Sequence, residues 1–210
     1  MVQIIEGKDR HLYPELFDRL FRARYETFVI GRQWSLPTTQ GREIDQYDND
    51  DAVYLVDFDE TGYLQGSVRL TPSVTSSLTA DYYAHLCQTR DLLRDPFVLE
   101  GTRYIAAPRV RTSQNNRSVK ARILGAMTQY AYDRGVTHIQ TVIDAALLRT
   151  FKEVNTQVFA LGPAQDYGGG RGVKGGGSCM AIRLPITDLA LREVRAYAHN
   201  HDASDLRAVA

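Results

Sequence analysis

The chain has 210 residues, 43% of them apolar and 24% charged, the proportions of a globular protein long enough to bury its own core. Its 25 basic and 25 acidic side chains cancel, so no global field draws it to nucleic acid or to an anionic membrane. The length suits one domain over residues 1–200, with a frayed tail over 201–210.

The opening MVQIIEGKDRH is too polar for a signal peptide, and no run approaches bilayer length. Val2–Ile5 reads as a first strand. Residues 13–31 carry Leu16, Phe17, Leu20, Phe21, Tyr25 and Phe28 at steps of three and four, which predicts a helix with one apolar face. A loop follows, holding Trp34 and then Glu43, Asp45 and Asp48. Residues 52–59 and 63–70 read as a hairpin turning at Glu60-Thr61-Gly62 and stopped by Pro72. A loop and short helix over 80–86 precede a strand over 98–106, which contains Glu100 and Arg103. Residues 115–134 read as a helix that buries Ile123, Leu124, Met127, Tyr130 and Ala131 and stops at Gly135.

A strand over 138–143, a helix over 145–154, strands over 157–161 and 179–184, and a last helix over 189–198 capped by Thr187-Asp188 complete the order. Such alternation predicts an α/β fold in which helices cover both faces of a mixed sheet. Gly168–Gly177 matches neither dinucleotide nor P-loop spacing and reads as a loop between strands. Cys87 and Cys179 lie far apart with no histidine or cysteine beside them at metal spacing. They read as reduced thiols of a cytoplasmic protein, and no metal site is expected.

The informative stretch is Arg24–Asp48. Arg24 and Phe28 share a helix face, and beyond them come Trp34 and three carboxylates within six positions. Acids and aromatic faces together suit a cationic, partly apolar small molecule. The same residues also suit a lid tryptophan above a solvated turn, or structural ion pairs of Arg24 with Asp45 or Asp48 and of Arg69 with Glu100, so other signals must decide.

Four motifs in order supply them: Arg24, Phe28 and Trp34; Glu43-Ile44-Asp45-Gln46-Tyr47-Asp48; Gly66-Ser67-Val68-Arg69-Leu70-Thr71-Pro72; and Glu100-Gly101-Thr102-Arg103. Together they resemble the acyl-homoserine-lactone synthases, the autoinducer synthases of bacterial quorum sensing. The motifs run from Arg24 to Arg103, and the order of elements fits nearly the whole chain. Thr102 stands where the family usually has serine, and Tyr83 where a phenylalanine is expected. Asp144 and the glycine-rich stretch fall in the half where the family builds its acyl pocket.

The resemblance implies a single-domain, GNAT-like three-layer α-β-α sandwich around a mostly antiparallel sheet. It implies transfer of an acyl group from acyl carrier protein or coenzyme A to the amine of S-adenosylmethionine. Lactone closure then releases 5′-methylthioadenosine. S-adenosylmethionine and the acyl thioester are substrates, and no cofactor is implied. For the S-adenosylmethionine site it implies Arg24, Phe28, Trp34, Asp45, Asp48 and Arg69; for the chemistry, Glu100 as base, with Arg103. For the acyl chain or its carrier it implies Tyr83, Thr102, Thr141, Arg109, Arg111 and Arg117.

Arg109, Arg111, Arg117, Lys120 and Arg122 place five cations and no acid along one stretch, which suits an acidic carrier protein somewhat better than coenzyme A. Two other readings stay open. One is an N-acyltransferase of the same fold acting on another small amine; the other is a non-catalytic relative that only binds S-adenosylmethionine.

Overall fold

The computed structural model describes residues 2–90, 93–170 and 174–201. Its strands are β1 (Val2–Glu6), the short pair β2 (Thr38–Thr39) and β3 (Arg42–Glu43), β4 (Val53–Phe58), β5 (Leu64–Pro72), β6 (Val98–Ala106), β7 (His138–Asp144), β8 (Phe159–Ala160), β9 (Gln165–Tyr167) and β10 (Gly177–Pro185). Its α-helices are α1 (Pro14–Arg24), α2 (Leu78–Tyr82), α3 (Ser113–Asp133), α4 (Leu148–Lys152) and α5 (Asp188–Asn200). The central sheet runs β1-β4-β5-β6-β7-β10-β8, with β9 also on β10. Every pairing is antiparallel except β6 with β7.

Alternation along the strands builds the two outer layers. Tyr54 and Val56 of β4 meet Phe17, Leu20, Phe21 and Phe28 on one face. Leu55, Val68 and Leu70 meet Ile123, Leu124 and Met127 of α3 and Val194 of α5 on the other. Close contact of β5 with α3 requires Gly66, where a Cβ would come within 2.7 Å of the Ile123 side chain.

Two departures from regularity open the sheet near its centre. β6 and β7 pair only over Val98–Glu100 and His138–Gln140, then part, leaving a wedge. Opposite that wedge the register of β5 with β6 shifts between Ser67 and Arg69. Arg103 lies there with φ of 56°, so this bulge re-aims its side chain.

Most of the expected elements form, and the differences are local. The helix expected over 13–31 is α-helical only to Arg24 and continues as a π-helix over Tyr25–Gly31, so that the Arg32 N–H reaches back five residues to the Thr27 carbonyl at 3.1 Å. The helix expected over 145–154 is a 3₁₀ turn over Ala145–Leu147 followed by α4. The strand expected over 157–161 pairs only at Phe159 and Ala160. β2, β3 and β9 are additions, too short to leave a periodic pattern. His201 is a turn; the rest of the expected tail and residues 171–173 of the glycine-rich stretch lie outside the described residues.

Candidate active site

Three arginines and three carboxylates close into a ring. Arg24 donates to Glu43 at 2.6 Å and to both oxygens of Asp48 at 2.7 and 2.9 Å. Arg69 reaches Asp48 at 2.8 Å and grips both oxygens of Asp45 at 2.6 and 3.0 Å. Arg103 completes the circuit, donating to Asp45 at 2.8 Å and to Glu43 at 3.0 and 2.9 Å. Glu43 at the end of β3 and the loop that follows it supply all the acids, while α1, β5 and β6 supply the cations.

Burial sets each member's task. The side chains of Arg24, Arg69 and Asp48 are 1% exposed and Glu43 is sealed; only Asp45 and Arg103, at 8%, reach the edge. Burial alone would lower the Arg24 pKa, but its bonds to Asp48 and Glu43 outweigh that and hold it above the ordinary value. Burial likewise pushes Asp48 up, and Arg24 and Arg69 overcome it, holding the carboxyl well below the usual range. With its acids already paired, the ring presents fixed geometry rather than free negative charge.

Arg103 also lines a cavity of about 370 Å³ in the wedge between β6 and β7. Phe28, Trp34 and Leu36 wall one side; Tyr83, Thr102, Thr141 and Cys179 are among the residues on the others, together with Tyr104, Ile143, Leu147 and Phe151. Phe28 and Trp34 stack with ring centroids 5.5 Å apart and planes 5° apart, and the Arg103 guanidinium lies 5.7 Å from the Phe28 centroid. Arg32 donates to Asp144 at 3.1 Å, and both side chains border the same cavity.

Glu100 does not line it. Its carboxylate is sealed, accepting from the Thr79 N–H at 2.7 Å, the Thr79 hydroxyl at 2.8 Å and the Ser77 hydroxyl at 2.5 Å. Leu78, between those partners, does face the cavity, so Glu100 anchors part of the wall. Burial raises its pKa and the surrounding donors only partly offset that.

The five expected surface cations do not form one free patch. Lys120 donates to Glu153 at 3.0 Å and Arg122 to Asp57 at 2.8 Å, acids brought in by α3's neighbours in space. Arg109, Arg111 and Arg117 are exposed and lie off the cavity. Sequence reasoning left Glu43 without a role, although it holds two of the three ring arginines. The clue was there: a third acid in register with Asp45 and Asp48. No comparable signal marked Arg32, Tyr104, Leu147 or Phe151, which gather only through tertiary packing. Among the described residues no group of three or more histidine, cysteine, aspartate or glutamate side chains is placed to hold a metal, and no helix is long and apolar enough to cross a membrane.

The family model described as autoinducer synthase matches residues 3–168. An acyl-homoserine-lactone synthase of Ralstonia nicotianae is 33% identical over 80% of this chain and 84% of its own length. An isovaleryl-homoserine lactone synthase of Bradyrhizobium diazoefficiens is 29% identical over 77% and 72%. The solved structure of BjaI, a CoA-dependent acyl-homoserine lactone synthase with SAM and isopentyl-CoA, superposes with a TM-score of 0.80 at 26% identity, covering 95% of this chain and 89% of that one. The GNAT-like acyltransferase architecture therefore holds, and the chain belongs to the autoinducer synthase family, as an acyltransferase of the acyl-homoserine-lactone synthase type.

Proposed function

We propose that the cavity takes the acyl chain of a thioester while S-adenosylmethionine sits at the Arg103 edge of the ring. One observation carries this: Arg103 belongs both to the ring and to the cavity wall, beside Asp45. An amino acid carries its ammonium and its carboxylate on one carbon, and an adjacent carboxylate and guanidinium complement that pair. Arg24, Arg69 and Asp48 hold these two groups in place from behind. Phe28 and Trp34 offer ring faces to the sulfonium or the adenine; such contacts contribute about 0.5–2 kcal/mol each.

In this reading the free amine attacks the thioester carbonyl and expels the thiol. The methionine carboxylate then attacks its own γ-carbon, displacing the sulfonium sulfur and closing the lactone. 5′-Methylthioadenosine leaves. The ammonium must first lose a proton, and Glu100 takes it by relay, since its sealed carboxylate touches the Ser77 and Thr79 hydroxyls rather than the cavity itself. General-base help is worth about 10²–10⁴ in rate, and holding two substrates in register supplies much of the rest.

For the donor we favour acyl-coenzyme A over acyl carrier protein. Two of the five cations that spoke for a carrier protein are engaged elsewhere, and the superposing relative is CoA-dependent. Arg109, Arg111 and Arg117 remain for the coenzyme's phosphates. We place the reaction in the cytoplasm, where both substrates are made.

The test is incubation with S-adenosylmethionine and matched acyl-coenzyme A and acyl carrier protein thioesters, followed by mass spectrometry. Lactone and methylthioadenosine in equal amounts are expected. An acylated amine without methylthioadenosine would indicate an ordinary N-acyltransferase. Ligand-dependent melting without product would indicate a binding protein.

A further inference from the structure

Four buried polar residues stand in one row across four strands. Thr71 pairs with Glu100 between β5 and β6, Glu100 with Gln140 between β6 and β7, and Gln140 with Arg183 between β7 and β10. Their exposures are 2%, 0%, 0% and 7%. The Glu100–Gln140 pair is the last rung before β6 and β7 part, so the row lies at the root of the wedge that forms the cavity.

Donor accounting fixes the orientation of each group. Arg183 can only donate, and its Nη2 lies 3.1 Å from Gln140 Oε1. Gln140 Nε2 therefore faces the other way, donating to the Leu93 carbonyl at 2.9 Å and to Ser77 Oγ at 3.2 Å, with Glu100 Oε2 at 3.4 Å. Ser77 Oγ also accepts from the Ala80 N–H at 3.1 Å, so its single hydrogen goes to Glu100 Oε2. Glu100 thus meets donors alone, the arrangement that favours its ionised form.

We infer that Gln140 is a positioning residue for the reaction: anchored by Arg183, it orients Ser77 and keeps the Glu100 carboxylate in the form that accepts a proton. The inference rests on the reading of Glu100 as base. The Gln140 bond lowers the Glu100 pKa against the larger effect of burial. Other titratable groups near the row are Cys87, whose thiol interacts with both Glu100 and Arg183, and Asp95 and His138, which interact with Arg183.

The experiment is the pH profile of kcat in wild type, Gln140→Met, Gln140→Glu and Glu100→Gln, each checked for S-adenosylmethionine binding by calorimetry. Gln140→Met removes the bonds at similar volume, and the acidic limb should move up by at least about half a pH unit, with kcat changing more than KM. Gln140→Glu retains a partner for Arg183 but sets a like charge beside Glu100, so its limb should move further. This second variant preserves the test if Gln140→Met does not fold. Limbs unmoved in a folded variant, while Glu100→Gln abolishes the limb, would overturn the role of Gln140 alone. A limb that survives Glu100→Gln would instead remove Glu100 as base.

Discussion

Arg103 and Glu43 stand 60 residues apart and meet through two hydrogen bonds of 3.0 and 2.9 Å, one from Nε and one from Nη2. This bidentate grip ties the strand that borders the cavity to the loop that carries the acids. The positive φ of Arg103 is what aims the guanidinium at Glu43 rather than along the pleat.

The loss of Glu43 should therefore be felt on both sides, at Arg24 of α1 and at Arg103 of β6. Glu43→Ala removes one carboxylate from two arginines, one of them sealed from water. Breaking a buried pair by deleting one partner costs about 3–5 kcal/mol. Urea denaturation should show a loss of that order, and activity should fall with it. A change under about 1 kcal/mol would mean the ring is less sealed than its geometry indicates.

The acid limit of stability should follow from Asp48. Its folded pKa lies below the ordinary carboxylate value of about 3.9, because Arg24 and Arg69 favour the charged form. In the window between those two values the unfolded chain binds the proton and the folded chain does not, so stability falls as pH falls. The Asp48 contribution is fully present above about pH 4 and is lost below it. Urea midpoints from pH 6 to pH 2 should therefore converge for wild type and Asp48→Asn as pH drops. A gap that stays constant through that range would refute the assignment.

How far the molecule is readable from its sequence depends on the kind of signal. α3 advertises itself through Ile123, Leu124, Met127 and Ala131 at helical spacing, and β6 through an apolar run bounded by breaks; both form with ends within about two residues of expectation. The π-helical stretch is hidden because Tyr25 and Phe28 fit an α-helical stripe equally well. Side-chain types single out Arg24, Asp45, Asp48 and Arg69 and allow both a ligand site and ion pairing; the structure pairs Arg24 with Asp48, and Arg69 with Asp45 rather than Glu100. Whether a carboxylate greets a ligand or a neighbouring arginine depends on loop closure, which spacing does not record. The loss of Lys120 and Arg122 from the basic patch has the same origin, since Glu153 and Asp57 are distant in sequence.

The Arg32–Asp144 pair separates stability from selectivity. The side chains are 46% and 25% exposed, so solvent screens the pair and its contribution to folding should be within about 1 kcal/mol. Yet it joins the segment after the π-helix to the end of β7 across the cavity. Asp144→Asn also keeps an oxygen to accept the Ala146 N–H that Asp144 now caps. Its melting temperature should change little, while relative rates across a series of acyl thioesters shift several-fold. An unchanged acyl preference would show that the pair does not shape the occupied part of the cavity.

The sharpest discrimination comes from Glu100→Gln. The amide oxygen can still accept from the Thr79 N–H and hydroxyl, and the new N–H can replace Gln140 Nε2 as a donor to Ser77 once that hydroxyl turns its hydrogen away, so the wall around Leu78 should survive. What disappears is proton affinity. If Glu100 deprotonates the attacking amine, turnover should fall by about 10²–10⁴ while S-adenosylmethionine affinity measured by calorimetry changes far less. Because the carboxylate is sealed behind Ser77 and Thr79, the transfer needs an intermediary, and rates in heavy water should show it as a solvent isotope effect that the variant loses. Equal losses in turnover and affinity would assign Glu100 to the architecture of the cavity wall, with the proton leaving by another route.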